Sequence, residues 1–386
     1  MSQPAAPYDD ITVVELGESI APAYVGKQLA DLGATVIRVD DPSGQGLYGF
    51  PPIVGTDAAG HGIGAAYLHL CRNKQSVALD LDSGAGRSCL RQLINRADVV
   101  VDGLGVDRLK QLGILHTSLI AHANTIVTSI TPFGLSGPYR DLLASDLVVM
   151  ALGGLLNLVG APEREPLSLG GYQAQYATGV CAFTGTAAAL LFRDASGDGQ
   201  LVDVSAIESI AFVEWKSATN FEATGSVRRR TGDHSQNLVM PTRDGWFGLL
   251  YTDPNWPQVQ QLTGVAALAD ERFSTRAGRA AHADELRGLL SEWFAQRTKD
   301  EIYRAAQALK IPAGTVADVE DVLQSEQYAA RDYWQTIDHP ATGPLIYTGP
   351  GYRISGYVPP ARRAPVLGEH TDSLSNPEEE YAKWPR

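Results

Sequence analysis

The sequence predicts an α/β protein built as a doubly wound large domain with a smaller α+β domain, and three observations carry that prediction. Short β-branched runs alternate with helical stretches over roughly the first two hundred residues, the rhythm of strands joined through helices into a parallel sheet. The pattern changes near residue 225, where a Gly- and Arg-rich loop, GSVRRRTGDHSQN (225 to 237), leads to one strand and several helices. The segment Leu367–Thr371 then reads as a return to the first domain. Residues 1–225 and 326–386 are therefore expected to form the large domain and 226–325 the small one.

Ile11–Val14 is a run of β-branched residues and reads as the first strand. Ala23–Leu32 follows as a helix ended by Gly33, whose freedom to take positive φ suits a helix stop. Thr35–Val39 is the next strand. The alternation continues with strand Ser76–Leu79, helix Gly84–Asn95, strand Asp98–Asp102, helix Arg108–Leu112 and strand Thr125–Ile130. A Gly/Pro/Ser-rich turn spans Phe133–Tyr139, a loop placed to face a ligand. The apolar runs Leu147–Ala161 and Val180–Phe192 fall short of the ~20 residues a membrane span needs. Gly153, Gly154 and Asn157 also interrupt the first, so both read as buried helices. A helix from Ser205 to Glu222 closes the large domain's first part. The small domain offers strand Gly245–Tyr251 and helices near Asn255–Leu262, Asp284–Ala295 and Lys299–Leu309, with Asp253, Asp318 and Asp321 as helix caps. From Tyr328 onward Pro and Gly turns separate short strands, and the last dozen residues, with three consecutive Glu, read as a frayed end.

Composition excludes several classes of function. Thirty-one Lys and Arg stand against forty-four Asp and Glu, a net charge of -13. Nonspecific binding to nucleic acid or to an anionic membrane needs the opposite balance, because it is driven by releasing counterions from phosphates. The start, MSQPAAPYDD, has neither a basic end nor an apolar stretch and does not read as a secretory signal, which gives a cytoplasmic expectation. Cys71, Cys89 and Cys181 are an odd count without a CxxC pair, against a disulfide scaffold or a Cys-rich zinc site. The histidines are scattered, and His69, His122 and His339 read as surface or core residues. No metal is expected.

A dinucleotide fingerprint should follow the first strand, where a pyrophosphate needs close backbone approach through glycines. The sequence there, ELGESIAPAY, has one glycine, and the G-x-G-x-G at Gly60, Gly62 and Gly64 follows no clear strand. A nicotinamide or flavin site is not indicated. Arg228, Arg229 and Arg230 form a cationic triplet in an acidic protein and could bind phosphate or carboxylate bidentately, or simply be a solvated loop.

Several segments, taken in order, resemble the family III CoA-transferases, the group of carnitine, formyl and benzylsuccinate CoA-transferases. They are DLGATVIRVDDP (31 to 42), RNKQSVALDL (72 to 81), SITPFGLSGPY (129 to 139), LLFRDASGDGQLVDVS (190 to 205), the DGW at Asp244–Trp246, IPAGTV (311 to 316) and APVLGEHT (364 to 371). The resemblance implies a Rossmann-like large domain made from both ends of the chain. It also implies an interlocked dimer in which each chain is a ring threaded by the other. The reaction it implies moves CoA from an acyl-CoA donor to a carboxylic acid through covalent intermediates on one aspartate. No cofactor is permanently bound, and CoA and acyl-CoA are substrates.

The departures from the family pattern shape the expectation for this chain. The family's nucleophilic Asp lies four residues before a helical glycine; Gly179 matches that glycine, and the position is Gln175. A neutral amide cannot replace the carboxylate as a nucleophile, and residues 170–179 contain no Asp or Glu. The racemase branch places His before an acidic residue, and here Ser145 precedes Asp146. The family's phosphate-holding Asn-Phe-Arg-Pro-Gly turn corresponds to Gly103, Leu104, Gly105, Val106 and Asp107, without its Arg. Arg38, Arg72, Asn73 and Lys74 match the family's CoA-binding side, with residual CoA binding and maintenance of the fold as equal readings. The resemblance therefore implies a non-nucleophilic subunit, as in succinyl-CoA:benzylsuccinate CoA-transferases, beside a homologous partner that carries Asp and holds most of the CoA. Arg228, Arg229 and Arg230 would then reach substrate in the partner's site. An autonomous transferase with an atypical nucleophile and a CoA-thioester binding protein without turnover are the other two readings.

Overall fold

The computed structural model describes residues 6–114, 116, 120, 124–230 and 235–375. His122, Thr231, Gly232 and the final residues 376–386 lie outside the described residues. The chain divides into two compact units: residues up to 159 with 166–228 and 332 onward, and residues 160–165 with 229–331.

The first unit is organised by a six-stranded parallel sheet in the order β5-β2-β1-β6-β7-β8. Its strands are β1 (Thr12–Leu16), β2 (Thr35–Asp40), β5 (Gln75–Ala78), β6 (Val99–Asp102), β7 (Ile126–Thr131) and β8 (Leu201–Ser205). Counted among themselves they run 3-2-1-4-5-6, the Rossmann order. A parallel sheet is covered on both faces, so its strands are apolar on both. Val13, Val36, Val99 and Val101 enter one core with Val25 and Leu29 of α1 (Ile20–Asp31). Val14, Ile37, Val39 and Val100 face the other way, onto Leu90 and Leu93 of the helix Gly84–Ile94. Ser83 caps that helix by accepting the Gly86 N–H at 2.9 Å. Two antiparallel hairpins, Ile53–Thr56 with Gly62–Gly64 (β3, β4) and Trp334–His339 with Gly343–Thr348 (β12, β13), complete the unit's strands.

The long helix Gln173–Ser196 packs along α1 and over β7 and β8. Its buried face is a ladder of small residues, Thr178, Gly179, Ala182, Thr186 and Ala189. Gly179 allows close approach there: a Cβ would lie 3.0 Å from the Tyr24 ring and 3.1 Å from the Ala21 carbonyl oxygen, tighter than an ordinary contact. The opposite face of this helix leaves Leu191 at 74 % exposure and Phe192 half exposed. The Val180–Phe192 run is thus helical but buried on one side only. The expected helix from Ser205 to Glu222 is two helices, Ala206–Val213 and Trp215–Thr224, broken at Glu214. The run from Leu147 is the short helix Asp146–Leu152, stopped at Gly153, followed by a single 3-10 turn, Leu156–Leu158.

Ion pairs cross the middle of the sheet. Arg38 is fully buried and donates to Glu15 (2.7 Å), Glu18 (2.8 Å) and Asp40 (2.6 Å). Lys74, also buried, donates to the other Glu15 oxygen at 2.6 Å and to the Ala23 carbonyl at 2.7 Å. The sheet edge at β5 is closed by the returning C-terminal segment. The His370 N–H donates to the Ser76 carbonyl, the Gly368 N–H to Ser76 Oγ, and the Ala78 N–H to Thr371 Oγ1. An exposed row of strand N–H and C=O groups invites wrong pairing, and this segment covers it.

In the second unit β9 (Asn237–Thr242), β10 (Gly245–Leu250) and β11 (Ala313–Val316) form an antiparallel sheet in the order β11-β10-β9. Leu238, Met240, Phe247 and Leu249 alternate onto one face and pack on Trp256, Leu286, Leu290, Phe294 and Ile302 of the surrounding helices. Asp318 is the N-cap of Val319–Leu323, with Asp321 as the reciprocal member of a capping box. Asp253 is not the cap expected of it. Thr252 takes that place, and Asp253 instead pairs with buried Arg279, whose guanidinium lies 4.8 Å from the Trp256 ring. Residues 160–165 join this unit through Arg230, which donates to the carbonyls of Ala161 and Arg164.

Removing the central cation should be costly, because the buried carboxylates of Glu15 and Asp40 would lose it as a partner. Arg38→Leu is expected to lower the unfolding free energy by about 3–5 kcal/mol, read from urea denaturation. A loss no larger than that of an exposed Arg→Leu control would show that Arg38 is not the keystone.

Candidate active site

Ligands of doubly wound sheets sit beyond the carboxyl ends of the strands where the strand order reverses. Here that point lies between β1 and β6. The two loops touch through glycines: Gly17 has φ +115, and a Cβ on it would lie 2.8 Å from the Gly103 backbone. Just beyond, α1 begins, and its N-cap residue Ser19 makes no side-chain capping bond. An open N–H remains at Ala21, and it donates to Gln175 Oε1 at 3.1 Å.

Gln175 lies in the first turn of the long helix, which starts after Tyr172 in the left-handed conformation (φ 58) and has no side-chain cap of its own. The missing cap comes from another helix. Asp146 Oδ1 accepts the Gln175 N–H at 2.9 Å, and the Ala174 N–H also acts on this carboxyl. A carboxylate beside the positive end of a helix is stabilised. Burial is nevertheless the largest influence, and it pushes the Asp146 pKa up while the two backbone N–H groups pull it down. Between these elements is a cavity of 190 Å³ lined by Ser19, Gly103, Thr131, Ser145, Asp146 and Gln175 among others. Among the described residues no Lys, Arg or His lines it.

The residues singled out in the sequence divide accordingly. Gln175, Gly103, Ser145 and Asp146 come together at the cavity. Arg38 and Lys74 meet on Glu15 in the interior. Arg72 is buried, donates to the Thr348 carbonyl and to Gln335 Oε1, and stacks 5.1 Å from the Tyr347 ring centre. Asn73 donates to Asp31 at 2.7 Å and to the Pro360 carbonyl, and accepts the Arg362 N–H at 2.8 Å. Arg72 and Asn73 therefore hold the C-terminal segment. Of the arginine triplet, Arg228 pairs with Glu214 at 3.1 Å and Arg230 holds the 160–165 turn. Arg229 is exposed, with no hydrogen bond or ion pair among the described residues.

Two features escaped the sequence reading. One is the cap from Asp146 to a helix that begins well downstream; its only signal is a Ser-Asp pair opening an apolar helix. The other is the anchoring of the 103–107 turn. Asp102, fully buried, accepts the Leu104 N–H at 2.9 Å and bonds Ser129 Oγ at 3.1 Å and His116 Nε2 at 3.0 Å. His69 is driven down to about 3, chiefly by burial and then by Lys27, Arg72 and Lys74. His339 is also lowered by burial. Among the described residues no cluster of His, Cys, Asp or Glu could hold a metal, and no helix is long and apolar enough to cross a membrane.

A Rossmann-order sheet with its cavity at the switch point, flanked by a long helix and covered at its edge by residues 367–371, defines a doubly wound α/β protein. A CAIB/BAIF family protein from Brucella suis has this architecture, with a TM-score of 0.86 at 31% identity over 96% of this chain and 98% of its own. The chain belongs to CoA-transferase family III, whose profile matches residues 8–371. It is 31% identical to the succinate--glutarate CoA-transferase of Agrobacterium fabrum, over 94% of both chains. It is 30% identical to the succinyl-CoA:(R)-benzylsuccinate CoA-transferase subunit BbsE of Thauera aromatica, over 94% of this chain and 92% of that one.

The raised pKa of Asp146 has a definite sign in stability. A carboxyl that holds its proton more tightly when folded contributes stability that is present below its unfolded pKa and lost as pH rises through the folded one. Asn at this position keeps a capping oxygen but does not titrate. The stability of Asp146→Asn relative to wild type is therefore expected to improve as pH rises above the ordinary aspartate range, about 3.9, and to level off once the folded carboxyl has ionised. Urea midpoints across that range check it, and a difference independent of pH contradicts it.

Proposed function

We propose that this chain is the non-nucleophilic subunit of a heteromeric family III CoA-transferase. The complex would move CoA from an acyl-CoA such as succinyl-CoA to a carboxylic acid of the benzylsuccinate kind. The observation that carries the reading is Gln175. At the start of the helix where the resemblance places the nucleophilic aspartate, the chain has a neutral amide whose oxygen is committed to the Ala21 N–H. The nearby carboxylate, Asp146, is engaged in capping that same helix. The family's covalent intermediates form on a carboxylate, and neither group offers a free one.

The need for a partner chain is supported by the apolar surface of the first unit. Leu143 is 96 % exposed, Phe212 75 %, Leu191 74 % and Trp215 56 %. Large apolar side chains left in water suit a surface that a partner covers. The reading takes that surface as the seat of a homologous chain carrying Asp at the Gln175 position, in the family's interlocked arrangement. Relatives named for transfer between succinyl-CoA or succinate and other dicarboxylic acids support the substrate class, and the Thauera relative is itself a subunit. The partner would hold most of the CoA, in keeping with a cavity here that no cation lines.

The homogeneous chain is expected to show no steady exchange of CoA between an acyl-CoA and a carboxylate. Gln175→Asp alone should remain at least about 100-fold below the mixed complex, because a nucleophile without correct placement recovers little. Steady turnover by a preparation shown by intact mass to contain only this chain would overturn the reading.

Within a mixed complex the triplet loop is proposed to act through Arg229, since Arg228 and Arg230 are engaged locally. Arg229→Ala is expected to lower kcat/KM about 10- to 100-fold, the range of a hydrogen bond to a charged group, while the complex stays assembled. Arg228→Ala serves as the comparison. Equal kinetics for both variants and wild type would return the loop to a solvated role.

A further inference from the structure

We infer that the second unit carries a binding site of its own for an organic oxyanion, a carboxylate or phosphate on an apolar body, in the groove lined by Arg243 and Arg297. The inference involves neither Gln175 nor a partner chain and so stands apart from the subunit reading. The first argument is how the two arginines are held. Arg243 sits in the turn between β9 and β10, and its backbone N–H donates to the Arg297 carbonyl at 2.9 Å. The two backbones are thereby tied together. Arg297 follows the helix Ala283–Ala295, and its guanidinium lies 4.1 Å from the Trp293 ring centre while Nη1 donates to the Trp293 carbonyl at 2.8 Å. Stacking on an aromatic face holds a guanidinium in place and leaves its edge free for hydrogen bonds. The remaining N–H groups of Arg297 have no partner among the described residues.

The second argument is charge. Among the described residues the groove has two cations, Arg243 and Arg297, against one carboxylate, Glu301. Glu301 is already engaged, accepting the Thr298 N–H at 2.8 Å in the capping box of the helix Lys299–Ala308. That backbone bond is the first cause of its lowered pKa, with the charges of Arg243 and Arg297 acting more weakly. Arg243 Nη2 stands 3.7 Å from Glu301, beyond the about 2.7–2.9 Å of a charge-assisted hydrogen bond. Its N–H groups are therefore not spent on Glu301, and an open guanidinium fork matches a carboxylate or phosphate bidentately. The third argument is size and polarity. The groove's 520 Å³ falls within the about 300–1,000 Å³ of small-molecule sites. Leu262, Trp293 and Ala305 give it apolar walls, which an inorganic ion would leave unused. Gln261 and Gln296 also line it, and their carboxamides have no hydrogen-bond partner among the described residues.

The test uses the purified full-length chain with phenyl phosphate, phenylacetate, benzyl alcohol and inorganic phosphate. In calorimetric titration an aromatic anion is expected to bind saturably and about 10-fold more tightly than benzyl alcohol, which keeps the ring without the charge. It should also bind more tightly than inorganic phosphate, which keeps the charge without the ring. The tighter of phenyl phosphate and phenylacetate tells a phosphate ligand from a carboxylate. Arg243→Gln and Arg297→Gln are each expected to weaken binding about 10-fold. Arg140→Gln, which removes an exposed arginine of the first unit paired with Asp141, should leave it unchanged. Circular dichroism shows which variants remain folded, and a second measurement reads the same site without substitution. Bound anion should protect Arg243 and Arg297, but not Arg140, from phenylglyoxal, as mapped by peptide mass spectrometry. Absence of saturable binding, benzyl alcohol binding as tightly as the anions, unchanged affinity in folded Arg243→Gln and Arg297→Gln variants, or undiminished modification of both arginines would overturn the inference.

Discussion

A guanidinium enclosed by three carboxylates is the constraint around which the large unit is arranged. Arg38 on β2 reaches back to Glu15 on β1, forward to Asp40 on its own strand, and out to Glu18 beyond β1. Lys74, just before β5, closes on the second oxygen of Glu15. Asp40 accepts Ser76 Oγ at 2.6 Å, and Ser76 Oγ in turn accepts the Gly368 N–H at 2.9 Å. A continuous chain of charged and polar contacts thus runs from the centre of the sheet to the C-terminal segment that seals its edge. Such a cluster adds little net stability over an apolar core, yet it is very sensitive to loss of any member. Its value is to fix register, since a one-residue slip of β2 would strand every charge. Even its free space is specified, because a Cβ at Gly26 would lie 1.8 Å from Glu15 Oε2. Cys71 is buried beside it with its thiol pushed up to about 12 by burial, and so is chemically quiet.

The cavity depends on this arrangement through α1. Glu15 and Lys74 pin the first turns of α1 from below, by way of the Ala23 carbonyl. The start of α1 is thereby held where its open N–H meets Gln175. Two helix beginnings converge at one small space, and each has its unpaired donors met by the neighbour: α1 by Gln175, the long helix by Asp146. Gln175 is thus a strut between helices as well as a wall of the cavity.

The long helix links this site to the outer surface. One side is small enough to lie directly on α1 and the sheet, and the other presents Leu191 and Phe192 to solvent. The helix spends its smallest residues on packing within the chain and leaves larger apolar ones on the outside. Phe212 and Trp215 on the following helices are likewise exposed.

The sequence by itself determined the alternation of strands and helices in the large unit, because β-branched runs and helix stops are local signals, and the ordered family motifs with Gln175 at one of them. It also pointed to the return of residues 367–371, whose motif now lies along β5. Tertiary structure alone decided which way the cations face. Both faces of a parallel strand are buried, so alternation cannot tell whether Arg38 looks into a ligand site or onto another strand, and here carboxylates on β1, just beyond β1 and on its own strand claim it. The break at Glu214 and the one-sided burial of the long helix were hidden for a related reason: the apolar pattern is the same whether its partner is the protein's own core or another chain. The cap from Asp146 to Gln175 joins positions 29 apart in sequence. No local pattern encodes such a bond, because it exists only once two helices have been brought end to end.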